Sequence, residues 1–220
     1  QISLHHSSYH NLSRIMGING PARANGILLD LGISSLQINS EDRGFSFQSN
    51  ALADMRFDQT KGQTAKDLIR KSSEKELADI IYQFGEERKS RRISNSIKKI
   101  KNLSTTMDLK EAIRKSTPPH HRNKTHARVF QAIRIAVNDE IDKLKSFLKI
   151  FLDYLEIGGR LVVISYHSIE DRIVKHSFRQ LNNESKVELL TKKPLTPSTD
   201  EIKLNKRSRS AKMRALERVL

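Results

Sequence analysis

The sequence has no cysteine and no tryptophan. Without thiols there is no disulfide, no thiolate metal site and no cysteine nucleophile. Aromatic residues make up only 5% of the chain, too few for a broad base-stacking platform. No apolar run approaches the roughly 18 residues of a membrane span, and no signal peptide is recognisable, so a soluble, cytoplasmic protein is expected. Neither G-x-G-x-x-G nor a Walker-type loop occurs, which leaves a phosphate-cradling nucleotide site without support. Acid is scarce beside base: 25 Asp and Glu face 40 Lys and Arg, for a formal net charge of +15. Such an imbalance points to a polyanionic partner. The chain also begins at Gln1 in mid-phrase, without Met, and is expected to be a piece of a longer protein.

What is there suffices for a folded α/β protein with a smaller module: 220 residues, 36% of them apolar. "ISLHH" (2–6) reads as a short strand, "NLSRIMGI" (11–18) as a short helix and "GPARAN" (20–25) as a loop. "GILLDL" (26–31) is a continuous apolar run, the pattern of a parallel strand buried on both faces. Asp30 and Gly32 fall at its carboxyl end, where doubly wound sheets meet their ligands.

From 63 to 116 the apolar period is helical. Leu77, Ile80, Ile81 and Phe84 follow a Ser73/Glu76 capping box, and Ile93, Ile97 and Ile100 form a second stripe. "KSTPPHHRNKTH" (115–126) reads as the loop that ends this module. A long helical pattern from Val129 to Leu155, with a break near Asn138, is expected to stop at Gly158 and Gly159. "RLVVIS" (160–165) is the second buried-strand candidate. It runs into His167 and Ser168, and Ser168 with Asp171 makes a capping box for the next helix. Beyond about residue 183 the chain is polar and interrupted by proline.

The positive charge is clustered at 87–101, at 114–128 and at 206–218. Each cluster suits phosphate neutralisation, and each alone would also suit a solvated helix face. His120, His121 and His126 lie without acids or thiols nearby, so phosphate contact or solvation is expected of them rather than metal. Phe45 and Phe47 flank Ser46 in "EDRGFSFQ" (41–48), where they either stack on a base or anchor the loop. Asp54, Arg56 and Asp58 read equally as an ion-pair network.

"GILLDLGISSLQ", "DRGFSF", "LADMRFD", "GEER", "ARVFQAIRIAVNDEI", "GGRLVVISYHSIEDRIVK" and "RSRSAKMRA", in this order, closely resemble the bacterial cytosine-N4 methyltransferases of small-subunit (16S) ribosomal RNA, the RsmH or MraW family. The likeness runs from about Ser3 to Arg218. It implies a Rossmann-like class I methyltransferase sheet, incomplete here, with an inserted all-α domain. Its parts would be 1–60 and 125–220 for the methyltransferase and 61–124 for an RNA-recognition insert. It also implies S-adenosyl-L-methionine as donor and small-subunit ribosomal RNA or the assembling subunit as partner, with no metal. The oligomeric state is left open, a homodimer included.

By the same resemblance Tyr9, Asp30 and Gln37 stand where the family holds its cofactor. Tyr9 takes the place of a frequent Phe, and Leu36 that of a usual Pro. The family's Gly-rich loop and ribose-binding acid would lie upstream of Gln1. Phe45, Phe47, His167, Arg207, Arg209 and Arg214 are the RNA-contact candidates, and no catalytic base is assigned. The segment from Ala211 to Val219 has helical propensity, yet the resemblance makes it a strand. The competing class is a non-enzymatic RNA-binding remnant of a methyltransferase.

Overall fold

The computed structural model describes residues 2–19, 23–40 and 42–220. The elements in chain order are α1 (Leu12–Asn19), β1 (Ala24–Asp30), α2 (Ser35–Asn39), α3 (Ala65–Lys71), α4 (Glu74–Gly85), α5 (Ser90–Lys98) and α6 (Thr106–Ser116). They continue with α7 (Arg122–Asn138), α8 (Glu140–Ile150), β2 (Leu155–Ser165), α9 (Ser168–Asn183), β3 (Val187–Leu189), α10 (Thr199–Leu204) and β4 (Lys212–Arg218). The chain divides into two compact units, Gln1–Gly32 with Ile141–Leu220, and Ile33–Glu140. The second unit extends beyond 61–124 at both ends.

The first unit is built on a four-stranded sheet of order β1-β2-β4-β3. β1 and β2 run parallel, and β2 with β4 and β4 with β3 antiparallel. The C-terminal segment is therefore a strand, as the resemblance implied: pairing along β2 outweighs its helical propensity. Both faces of β1 and β2 were expected to be buried, and this needs correction. On β2, Leu161, Val163 and Ser165 are buried while Val162 and Ile164 between them are only partly so. Leu28 on the edge strand β1 is 68% exposed. The packed face gathers Leu29, Leu161, Val163 and Leu216 with Leu144, Phe147, Phe151, Val174 and Phe178 from the helical segments.

Gly158 and Gly159 do not stop a helix. The helix ends at Ile150, a 3-10 turn covers Phe151–Tyr154, and both glycines lie inside β2. Pairing jumps from Ala24 opposite Leu155 to Gly26 opposite Arg160, so the register is interrupted where the glycines lie. Gly158 has φ +77, and a Cβ on Gly159 would come within 2.8 Å of the Glu156 carbonyl. "ISLHH" is likewise no strand: residues 2–6 are irregular and exposed. A strand needs a neighbour that donates and accepts its backbone hydrogen bonds, and among the described residues none pairs with 2–6. Of the loop expected at 20–25, residues 20–22 lie outside the described residues, as does Glu41 of "EDRGFSFQ", and β1 has begun by Ala24.

The second unit is helical. α2, α3, α4 and α6 each open with a capping box, Ser34/Gln37, Thr64/Asp67, Ser73/Glu76 and Thr105/Asp108. Leu77, Ile81, Ile93, Ile97, Leu109, Ile113, Val129 and Ile133 form its core. α4 and α7 cross closely at Gly85, where a Cβ would meet the Arg128 carbonyl at 2.7 Å. The loop expected at 115–126 shrinks to a few residues, because Pro119 starts a 3-10 turn that leads into α7 at Arg122. The break near Asn138 is present: Asp139 is left-handed, φ 51, and ends α7. Arg134 spans that break with two 2.9 Å hydrogen bonds to the Glu140 carboxylate.

Candidate active site

Because β1 and β2 are parallel neighbours, their carboxyl ends open at the same edge of the sheet. Asp30, opposite Ile164, closes β1 with an exposed side chain. Gly32 follows with φ +95, a turn that L side chains rarely adopt. From the end of β2 the chain enters a turn of Tyr166 and His167, and the Tyr166 hydroxyl donates to Asp30 Oδ1 at 2.9 Å. Burial of the phenol, this hydrogen bond and the nearby Asp30 and Glu170 charges push Tyr166 up to about 12.

The turn is fastened from α9. Glu170 is buried, and its Oε2 accepts from the backbone N–H of Tyr166 at 3.0 Å and of His167 at 3.4 Å. His167 Nδ1 accepts from the Glu170 N–H at 3.3 Å, so the ring proton sits on Nε2. Nε2 lies 3.2 Å from Glu170 Oε1 without the angles of a hydrogen bond. The capping box is thus His167/Glu170, one residue earlier than Ser168/Asp171. Histidine is an unusual cap, which is why the serine beside it read as one.

That shift releases Asp171 for another task. Its carboxylate accepts from Arg214 Nε at 2.7 Å and lies 3.5 Å from Lys212 Nζ. Burial raises the Asp171 carboxyl, but the Arg214 hydrogen bond and the two cations outweigh it and hold the group below the usual range. Arg214, expected to reach RNA, is 7% exposed and ties β4 to α9. Leu216, two residues on and on the same face, is fully buried. Arg207 and Arg209 are exposed in the 3-10 turn Lys206–Ser210 that leads into β4.

Tyr9 lies in a 3-10 turn and packs edge-on to Phe147 of the same unit, with ring centroids 5.8 Å apart. Gln37 lies on the helical unit, where its Oε1 accepts from the Ser34 N–H at 3.1 Å and its own N–H donates to Ser34 Oγ at 3.2 Å. Phe45 and Phe47 also belong to that unit and are no open stacking surface. Phe45 is 8% exposed in the core beside Phe57, and Phe47 packs on Phe130 and His126. Of the two readings of this loop, anchoring is the one that their burial fits.

His126 corrects another expectation. It is 3% exposed, with Nε2 at 3.2 Å from the Lys110 carbonyl and Nδ1 unpartnered among the described residues. Burial first, then the charges of Lys110 and Arg122, pull it below its ordinary value, against the Lys110 hydrogen bond. His120 and His121 are exposed. In the 87–101 cluster Lys98 is used internally, donating to the Ile69, Arg70 and Ser72 carbonyls. Arg88, Lys89, Arg91, Arg92, Lys99 and Lys101 are exposed, and their side chains make no ion pair among the described residues.

An exposed acid at the carboxyl end of a parallel strand, beside a left-handed glycine and a fastened turn, is how a Rossmann-like α/β fold meets a ligand. The class is that of the Rossmann-like methyltransferases. Residues 1–219 match the MraW methylase family, and the chain belongs to it. It is 46% identical over 222 residues to the ribosomal RNA small subunit methyltransferase H of Thermosipho africanus, covering 99% of this chain and 75% of that protein. The enzyme of the same name from Acaryochloris marina is 49% identical over 204 residues, 91% of this chain and 67% of its own length. That of Thermotoga neapolitana is 44% identical over 225 residues, 100% and 74%.

Proposed function

We propose that the protein transfers a methyl group from S-adenosyl-L-methionine to N4 of a cytosine in small-subunit ribosomal RNA. The observation that carries this reading is Asp30, an exposed carboxylate at a strand's carboxyl end, with one oxygen held by Tyr166 and the other without a partner among the described residues. A free carboxylate oxygen beside a turn suits a cationic or hydroxyl-bearing ligand. By family resemblance Tyr9, Asp30 and Gln37 would hold the cofactor. When bound, the cofactor supplies an electrophilic methyl group.

Cytosine N4 is a weak nucleophile, because its lone pair is delocalised into the ring. The protein's share is therefore alignment, together with acceptors that draw N–H density away as the nitrogen becomes tetrahedral. The base must leave its stack to be reached, and the Tyr166-His167 turn is a candidate wall for it. The unpaired cations of α5 and the preceding turn, and Arg207 and Arg209 of the sheet unit, suit the phosphates of the RNA.

The test is calorimetry with the cofactor. Asp30→Ala removes a charge-assisted hydrogen bond of about 1.5–3 kcal/mol and is expected to weaken binding by roughly 10–100-fold. Unchanged affinity refutes the assignment. Binding of RNA without any methyl transfer by the intact protein favours the non-enzymatic alternative instead.

A further inference from the structure

Asp30 and Tyr166 are 136 positions apart in the chain, and the parallel pairing of β1 with β2 brings them together. Three features fix the tyrosine. Glu170, 3% exposed, takes the backbone N–H of Tyr166 at 3.0 Å, so the ring departs from a fastened turn. Gly32 gives the ring a bed: a Cβ there would touch Tyr166 Cδ2 at 3.4 Å, and its φ of +95 disfavours any other residue. The hydroxyl then reaches Asp30 Oδ1 at 2.9 Å, while Oδ2 has no partner among the described residues. An exposed Asp otherwise samples several rotamers, and a ligand that needs one of them must freeze it on binding. Holding one oxygen in advance removes that cost.

We propose that Tyr166 is a positioning residue, which fixes Asp30 through Oδ1 so that Oδ2 is presented to the methyl-donor cofactor. This rests on the reading of Asp30 as a cofactor ligand. A tyrosine that only packed over Gly32 would leave the same ring in place but would not act through the carboxylate.

A double-variant cycle separates the two, with wild type, Tyr166→Phe, Asp30→Ala and the double variant titrated calorimetrically with S-adenosylhomocysteine. Tyr166→Phe keeps the ring and is expected to weaken binding about tenfold, as for one hydrogen bond to a charged group. The double variant is expected to bind like Asp30→Ala alone, since the hydroxyl acts only through that carboxylate. Unchanged affinity in Tyr166→Phe, or losses that multiply in the double variant, overturn the proposal.

A second readout needs no cofactor. The tyrosinate absorbance transition that disappears in Tyr166→Phe is expected above that of an ordinary tyrosine, and to move down in Asp30→Ala. A transition that does not move overturns the pairing itself. If it moves while Asp30→Ala binds cofactor like wild type, the cofactor assignment of Asp30 has failed, and the presentation of Oδ2 fails with it.

Discussion

His126 shows how a single side chain can change its meaning between sequence and fold. In the sequence it belongs to a basic, histidine-rich segment; in the structure it is a core residue that supports the Phe47 ring, with centroids 5.6 Å apart. Burial keeps the ring neutral, so its folded pKa lies below the 6.5 of the ordinary imidazole. The unfolded chain therefore takes up the proton first as pH falls through 6.5, and stability is lost from there down to the folded value. Above 6.5 the contribution is complete. The urea midpoint of wild type is expected to fall between pH 7.5 and pH 5, and His126→Phe, which fills the same space without a titrating group, is expected to flatten that decline. An equal decline in both proteins would mean that other groups set it. Arg214 and Asp171 belong at this scale too. Arginine in a basic tail reads as an RNA contact, and only the fold brings it to its carboxylate.

At the scale of elements, the start of α4 was legible and the glycine and histidine signals were not. Ser73 and Glu76 capped α4 as their spacing required, because a capping box is a local device. Gly158 and Gly159 were misread because a glycine pair ends a helix or interrupts a strand's register equally well, and only the pairing partner decides. β3 escaped detection because it has only three residues in a polar segment.

The basic helix α5 divides its cations between two tasks. Lys98 closes the carboxyl end of α3 through three carbonyls, whereas Arg91 and Arg92 are exposed and pair with nothing among the described residues. Lys98→Met is expected to lower stability by about 1–2 kcal/mol in chemical denaturation, as for lost hydrogen bonds to a charged group, and to leave RNA affinity nearly unchanged. Arg91→Gln with Arg92→Gln should do the reverse, lowering the slope of log affinity against log salt by about 0.7 per phosphate contact for single-stranded RNA, without loss of stability. The opposite pattern, stability lost with the arginines and salt dependence with the lysine, would show that the two tasks had been assigned the wrong way round.

For the whole molecule, the division into a sheet unit and a helical unit follows from the change of apolar period, from near-continuous runs to a spacing of three and four residues. The limits of the units did not follow. The segment from Ile33 to about 60 has no clear period, yet it packs as part of the helical unit: Asn138 joins the Met55 carbonyl and the Phe57 N–H at 2.7 Å each. Long-range hydrogen bonds of this kind leave no trace in local spacing. That Asp30 would close a strand was legible from the apolar run before it. Its tyrosine partner was not, since that contact depends on two strands lying side by side.

The central claim, that this molecule methylates cytosine N4 in small-subunit ribosomal RNA, is open to one direct measurement. The protein is incubated with small ribosomal subunits and S-adenosyl-L-methionine carrying a labelled methyl group, and the RNA is digested to nucleosides for mass spectrometry. The expected result is label in N4-methylcytidine, greatly reduced when Asp30 is replaced by Ala. Label in any other nucleoside, or folded protein that binds the RNA and transfers no methyl group, would contradict it.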